Sequence, residues 1–316
     1  MTSLNNYHYH VLLGTAIGDA LGYPVQFKSR QYLKANPVTD MLPCREFNDI
    51  AGVWSDDTSL TLCLAENLKN GIHYDEIAQS MVKWLYDGYM TPIGSAFDEG
   101  ITTAEAIRNI KSGIKPVIEC GLNDYDSNGN GSLMRILPLA FYMIDTPVHN
   151  RMRIVKDISS ITHGHWISVY SCIILIEMAI ELIKGADLMK GYCQSVKRCQ
   201  NELPFFIGLF DSYNPKLNDI DRIFERVLSQ KIFSLSEDEL KSSGYVVDTL
   251  ESALWSLLNT DYFHDAVVTA VNMGNDCDTI GAVTGGIAGL YYGIDSIPDR
   301  WIKKIQGLEI IKSVCL

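Results

Sequence analysis

Two short stretches far apart in the chain set paired carboxylates beside hydroxyls: Ser55-Asp56-Asp57-Thr58 and Asp276-Cys277-Asp278-Thr279. Each opens an apolar or small-residue run, the position of a helix entrance. There a hydroxyl or one carboxylate caps free N–H groups and faces the positive end of the helix dipole. Capping needs one acidic group, and adjacent aspartates repel each other, so a cap accounts for only half of each pair. Brought together by folding, the four carboxylates would form a cage of hard oxygen ligands suited to Mg2+.

Three further segments carry polar groups at spacings that chemistry can use. Ser127-Asn128-Gly129-Asn130-Gly131-Ser132 precedes Leu133-Met134-Arg135. It reads either as a connecting turn or as a loop whose glycines let backbone N–H groups approach phosphate oxygens, helped by the dipole of a following helical run. It has neither the GxGxxG nor the GxxxxGK spacing. Thr162-His163-Gly164-His165-Trp166 holds two imidazoles that are either satisfied structural histidines or donors to an anion; no supporting His or Cys makes a zinc site. Gly14 to Gly22 is a small-residue run with Asp19 as its lone charge, read as a packed helix whose aspartate caps a neighbouring segment.

The elements that must position these groups are helices. Apolar residues recur near a 3.6 period in Leu60 to Leu68, Ile77 to Tyr86, Val169 to Ile183, Asp219 to Leu228 and Thr249 to Leu258, while alternating strand patterns are scarce. The expected fold is all-α. The second acidic pair leads into a helix starting near Ile280, with Thr279 or Asp278 as cap. Gly281, Gly285 and Gly289 then share one helical face, where backbones can approach closely at the centre of the protein. Motifs on both sides of the more polar 200–243 stretch serve one site, so a single domain over 1–316 is expected. That stretch, with Pro204, Pro215 and the capped start Ser236-Glu237-Asp238-Glu239, forms a peripheral elaboration.

Bulk composition narrows the partners. A formal charge of −12 argues against nucleic acid and against an anionic membrane, both of which need dense Lys and Arg. The eight cysteines show no CxxC pair and are expected to be reduced thiols. With no basic and apolar leader, the expected compartment is cytoplasmic. The longest apolar stretch, Ser171 to Ile183, is interrupted by Glu177 and Glu181 and is expected to be too short to span a bilayer.

Taken in order from Gly14 to Tyr291, these segments resemble the ADP-ribosylglycohydrolase family, which includes the dinitrogenase reductase-activating glycohydrolase and the ADP-ribosyl-arginine and ADP-ribosyl-serine hydrolases. Ser55-Asp56-Asp57-Thr58 is similar to the family's Thr-Asp-Asp-Thr, and Asp276, Asp278 and Thr279 match its Asp-x-Asp-Thr. The resemblance implies two Mg2+ ions, Mn2+ in some members, held by Ser55, Asp56, Asp57, Asp276, Asp278 and Thr279. It implies a diphosphate segment of Gly129, Asn130, Gly131, Ser132, Met134 and Arg135, with His163 lining the ligand and Gly244-Tyr245 toward the adenosine end. Phe97-Asp98-Glu99-Gly100 resembles the family's Phe-Asp-Ile-Gly, which places Asp98 on the scissile side of the ribose. The implied reaction is hydrolysis of the bond between ADP-ribose and a modified protein side chain, arginine favoured, with Asp57 and Asp98 in acid–base roles and a monomer favoured. Gln26 stands among the ligand-lining positions where the family commonly has Glu. That change leaves open a catalytically weakened ADP-ribose binder or a structural relative.

Overall fold

Small residues at every fourth position bring the first helix, Thr2–Gly22, into backbone contact with the Cys277–Tyr292 helix. A Cβ added at Gly18 would overlap the carbonyl oxygen of Gly281, and one added at Gly285 would overlap that of Gly14. The close approach expected of the Gly281, Gly285, Gly289 face is therefore present. Its partner is a matching face of Gly14, Gly18 and Gly22, a four-residue spacing in the N-terminal run that the sequence reading passed over. The structure, a computed structural model, describes residues 2–210 and 216–315; Pro215 lies outside the described residues.

Around this pair stand the helices Asp56–Leu68, Tyr74–Asp87, Ile101–Ser112, Val148–Ser160, Trp166–Ile183, Leu188–Asn201, Val246–Leu258 and Phe263–Val271. Strand structure among the described residues is limited to Pro43–Cys44 paired antiparallel with Ile50–Ala51. The architecture is all-α, as the periodicity predicts. One periodic run is divided: Asp219 to Leu228 falls on Leu217–Ile223 and Glu225–Leu228. The break is at Phe224, whose ring is fully buried edge-on to Tyr170 with centroids 5.0 Å apart. Burying an aromatic ring outweighs the continuation of a short helix.

Most buried apolar side chains from Val11 to Val314 form one large core, and Leu240, Ala270, Met273 and Ile280 form a small second cluster. All eight cysteines are free, and six of them are buried. Trp166–Ile183 begins five residues before the stretch read from the sequence. At 18 residues and mean hydropathy 1.9 it is long and apolar enough to cross a membrane, yet 94% of it is buried inside the protein. Its two glutamates explain themselves here. Glu177 accepts both Nε and Nη2 of Arg151 at 2.6 Å and Nη1 of Arg198 at 2.8 Å, while Glu181 takes Nη2 of Arg198 at 2.6 Å. Glu177→Ala is expected to cost about 3–5 kcal/mol, because it strands the buried Arg151 charge. A lower denaturation midpoint at unchanged m-value is the readout.

The 200–243 stretch packs on two core helices through hydrogen bonds from Tyr192 to the Val227 carbonyl (2.6 Å) and from Trp255 Nε1 to that of Leu235 (2.9 Å). Ser236 and Glu239 form the expected capping box, although it heads a single 3-10 turn. Arg30 ties this stretch to the second acidic pair, donating to the carbonyls of Glu237 (2.6 Å) and Met273 (3.0 Å).

Candidate active site

Asp19 caps the helix that carries the first acidic pair. Its buried carboxylate accepts the Ser55 N–H (2.9 and 3.0 Å), the Thr58 N–H (3.1 Å) and the Thr58 hydroxyl (2.6 Å). Burial still pushes the Asp19 carboxyl up to about 7. With the free N–H groups served from outside, Asp56 and Asp57 are released from capping. Asp57 Oδ2 instead accepts Ser55 Oγ (3.2 Å) and Thr279 Oγ1 (3.4 Å), a contact that joins the two acidic entrances across 222 residues. Asp57 Oδ1 is buried with no hydrogen-bond partner.

The second entrance starts earlier than expected. The helix begins at Cys277 rather than near Ile280, and Asp276 occupies the cap position without making a side-chain cap bond. The reason is tertiary: Asn130 Nδ2 donates to Asp276 Oδ2 at 2.5 Å and draws the carboxylate away from the helix end. At the second residue of the helix, Asp278 is fully buried, and neither carboxylate oxygen finds a hydrogen-bond donor. Asp98 lies close enough to share a proton with it, but brings a carboxyl rather than a standing donor. The donors therefore sit on helix caps and first turns, not on the loops before them.

Burial, reinforced by mutual repulsion, holds the Asp56, Asp57 and Asp278 carboxyls well above the usual range. Burial also raises Asp276, against hydrogen bonds from Asn130, Thr279 and Gln26, and pushes Asp98 up to about 6 against a hydrogen bond from Gln26. No Lys or Arg among the described residues pairs with any of the five. Buried carboxylates are otherwise found paired or coordinating a metal.

The donor set suits a hard divalent cation: every candidate ligand is an oxygen, and three buried carboxylate oxygens lack partners. As they stand, no three acidic, histidine or cysteine side chains among the described residues are grouped as the shell of one ion. The donors divide instead into Ser55, Asp57 and Thr279, joined by hydrogen bonds, and Asp56 and Asp276 at the cavity, with Asp278 beneath.

The cavity above them has a volume of about 350 Å³. Gln26, Asp56, Asp98, Gly129, Asn130, Gly131, Met134, His163, Gly244, Asp276 and Thr279 all line it, so residues from seven separate segments meet there. Gln26 Nε2 donates to Asp98 Oδ2 at 2.8 Å. The glycine loop is tied in place by Asn130 N–H to the Gly244 carbonyl (3.1 Å) and Val246 N–H to that of Asn128 (3.0 Å). A Cβ at Gly131 would come within 2.8 Å of His163 Cε1 and of Thr103 Oγ1, so only glycine fits between those two walls.

Several expected ligand contacts are placed elsewhere. Ser132 is fully buried, its hydroxyl receiving that of Ser159 at 3.0 Å. Arg135 is fully buried as well. It curls back one turn to donate to the Gly131 carbonyl (2.5 Å) and reaches that of Ile158 (3.2 Å), so it braces the loop from behind. Tyr245 pairs with Gly129 through the backbone, while its side chain lines a separate depression with Arg222 and Lys241. Nor does the loop open an α-helix. It runs through a tight turn into the 3-10 helix Leu137–Tyr142, because Pro138 lacks an N–H and restricts Leu137. No helix dipole supports an anion there.

The two histidines differ. His165 caps the Trp166–Ile183 helix and bonds Asn128 Oδ1 at 3.0 Å, away from the cavity. His163 Nδ1 lies 2.8 Å from Thr162 Oγ1. Burial, aided by the Arg135 charge, pushes the His163 imidazole down to about 3, which keeps it neutral. With the Thr162 hydroxyl donating to Nδ1, the remaining N–H is at Nε2, the nitrogen beside Gly129 and Gly131. Phe27, Glu99, Ile101 and Thr103 also line the cavity, outside the positions expected from the sequence. Glu99, adjacent to Asp98, and Phe27, adjacent to Gln26, carried signals that could have marked them.

Comparison with known proteins bears on this arrangement. A family model described as ADP-ribosylglycohydrolase matches residues 5–315. An ADP-ribosylarginine hydrolase, Tri1, of Pseudomonas putida is 33% identical over 96% of this chain and 75% of its own. The ADP-ribosyl-[dinitrogen reductase] glycohydrolase of Rhodospirillum rubrum is 28% identical over 93% and 88%. A solved structure titled as an ADP-ribosylglycohydrolase-related protein complex superposes with a TM-score of 0.75 at 26% identity, covering 99% of this chain and 97% of that one.

Proposed function

This chain belongs to the ADP-ribosylglycohydrolase family, a glycosyl-bond hydrolase that acts on ADP-ribosylated protein, and from that premise we propose that its substrate is ADP-ribosyl-arginine and its cofactor a pair of Mg2+ ions. The observation that carries this reading is the set of desolvated carboxylates, without a basic partner, under a cavity walled by a glycine loop. Ser55, Asp56, Asp57, Asp276, Asp278 and Thr279 would hold the ions, with Mn2+ as the alternative metal. Bound there, such ions supply positive charge to the ribose hydroxyls and lower the pKa of water.

The chain's own groups do the rest. Backbone N–H groups of Gly129 and Gly131 and the Nε2–H of His163 receive the diphosphate. Asp98, pushed up to about 6, is protonated in a minority of molecules at neutral pH, and in that form can give its proton to the departing guanidine nitrogen as water adds to the anomeric carbon. Asp57 is 1% exposed, outside the cavity lining, and shapes the ligand set from below.

Gln26 acts as the donor that aims Asp98. Gln26→Glu is thus expected to slow ADP-ribose release by about tenfold or more, since it replaces that donor with another repelling carboxylate. A gain in rate would instead favour a natural protein weakened for catalysis. The reading itself is tested by incubating the protein and Mg2+ with ADP-ribosyl-arginine and counting released ADP-ribose. An absence of release, identical for wild type and Asp57→Asn, would discard it for that linkage.

A further inference from the structure

One side of the cavity mouth is built at a cost that folding does not explain. Phe27 sits in left-handed backbone at φ +62° with 74% of its surface exposed, and its ring stacks on no other described ring. Two short hydrogen bonds fix it there, Phe27 N–H to the Asn275 carbonyl and Asn275 N–H to that of Lys28, both 2.7 Å, with Asn275 also left-handed at φ +56°. A bulky residue in this region is strained, and an exposed ring gives nothing back in burial. A second lining residue is Glu99, which follows the left-handed Asp98. It is exposed and makes no hydrogen bond or ion pair among the described residues. Both residues border the cavity next to Gln26 and Asp98, the end where the bond to the modified side chain is cut in the proposed reaction.

An aromatic face and an unpaired carboxylate are the two groups that recognise a guanidinium, which stacks on rings and forks onto carboxylates. We propose that Phe27 and Glu99 form a clamp for the guanidinium of the modified arginine, selecting that linkage over a neutral one. This inference rests on the arginine reading above. An O-linked serine would present neither a charge to Glu99 nor a plane to Phe27.

The test compares Phe27→Gly and Glu99→Gln with wild type on ADP-ribosyl-arginine, and measures the affinity of each for free ADP-ribose. Glycine accepts the left-handed conformation, so Phe27→Gly is expected to fold at least as well. Each substitution should raise KM for ADP-ribosyl-arginine by about tenfold with kcat within about threefold, and ADP-ribose affinity should move less than about twofold. Added salt should raise the wild-type KM and leave that of Glu99→Gln nearly flat, which a purely structural role would not produce. Unchanged KM in both variants of an active enzyme would refute the clamp and leave the hydrolase standing. Loss of ADP-ribose affinity in Phe27→Gly would refute it differently, by placing the ligand's other end on the ring. A wild type that binds ADP-ribose but cleaves no ADP-ribosyl-arginine would remove the arginine reading and the clamp together.

Discussion

Asp278→Asn should melt at or above the temperature of the unsubstituted protein and yet release ADP-ribose roughly 10²- to 10³-fold more slowly. The two effects share one cause. Asp278 is fully buried, no donor reaches either of its oxygens, and its electrostatic neighbours are the carboxylates Asp276, Asp57, Asp98 and Asp19. Asparagine keeps the shape, removes one charge from that repelling group and adds two N–H donors, so the metal-free fold gains. The same change removes a donor that the proposed chemistry needs, and stability exchanged against activity marks a functional group rather than a structural one. Adding Mg2+ sharpens the comparison. Ligand at about 100 times its Kd stabilises a folded protein by about 2.7 kcal/mol, so the wild-type melting temperature should climb with Mg2+ while that of Asp278→Asn stays nearly still. Equal metal response and equal turnover in the two proteins would overturn the proposed role of the buried carboxylates.

Gly18→Ala should be strongly destabilising. In an exposed helix the same change adds about 1 kcal/mol of stability. Here the new Cβ overlaps the carbonyl oxygen of Gly281, a backbone atom that cannot rotate aside. Separating the two helices is the remaining option, and overpacking of this kind costs about 3 kcal/mol or more. At roughly 2–4 °C per kcal/mol, the melting temperature should fall by on the order of 10 °C. Gly285→Ala should behave alike, since its Cβ meets the Gly14 carbonyl. Gly191→Ala is the control: the nearest atom to its Cβ would be the flexible end of Leu182 at 3.0 Å, with no backbone atom in the way, so a change within about 1 kcal/mol is expected. Comparable losses at Gly18 and Gly191 would show that the backbone contact is not what matters.

The acidic pairs and the helices were legible in the sequence for physical reasons. Adjacent aspartates at a helix entrance are unfavourable without a use for both charges, and a 3.6-residue apolar period is a local property of the chain. What stayed hidden depends on partners distant in sequence. The Gly281 face was visible, but nothing local says that it meets Gly14 and Gly18. The helix start at Cys277 is decided by Asn130, which claims the Asp276 side chain. Arg135 looked like a phosphate ligand by type, and only the turn geometry that returns its guanidinium to Gly131 shows that it braces the loop instead. The left-handed, exposed placement of Phe27 has no local sequence signal, because it is imposed by the strip around Asn275.

Where glycine meets glycine, no rotamers separate the two main chains, so there is little in that seam to fluctuate or to freeze. Asp19 rides on one side of it and clamps the Ser55 entrance, while Asp278 rides on the other. The distance between the entrances is therefore set by backbone against backbone, before any ligand arrives. Ligands then meet a preorganised framework, and little of their binding energy need go into arranging it.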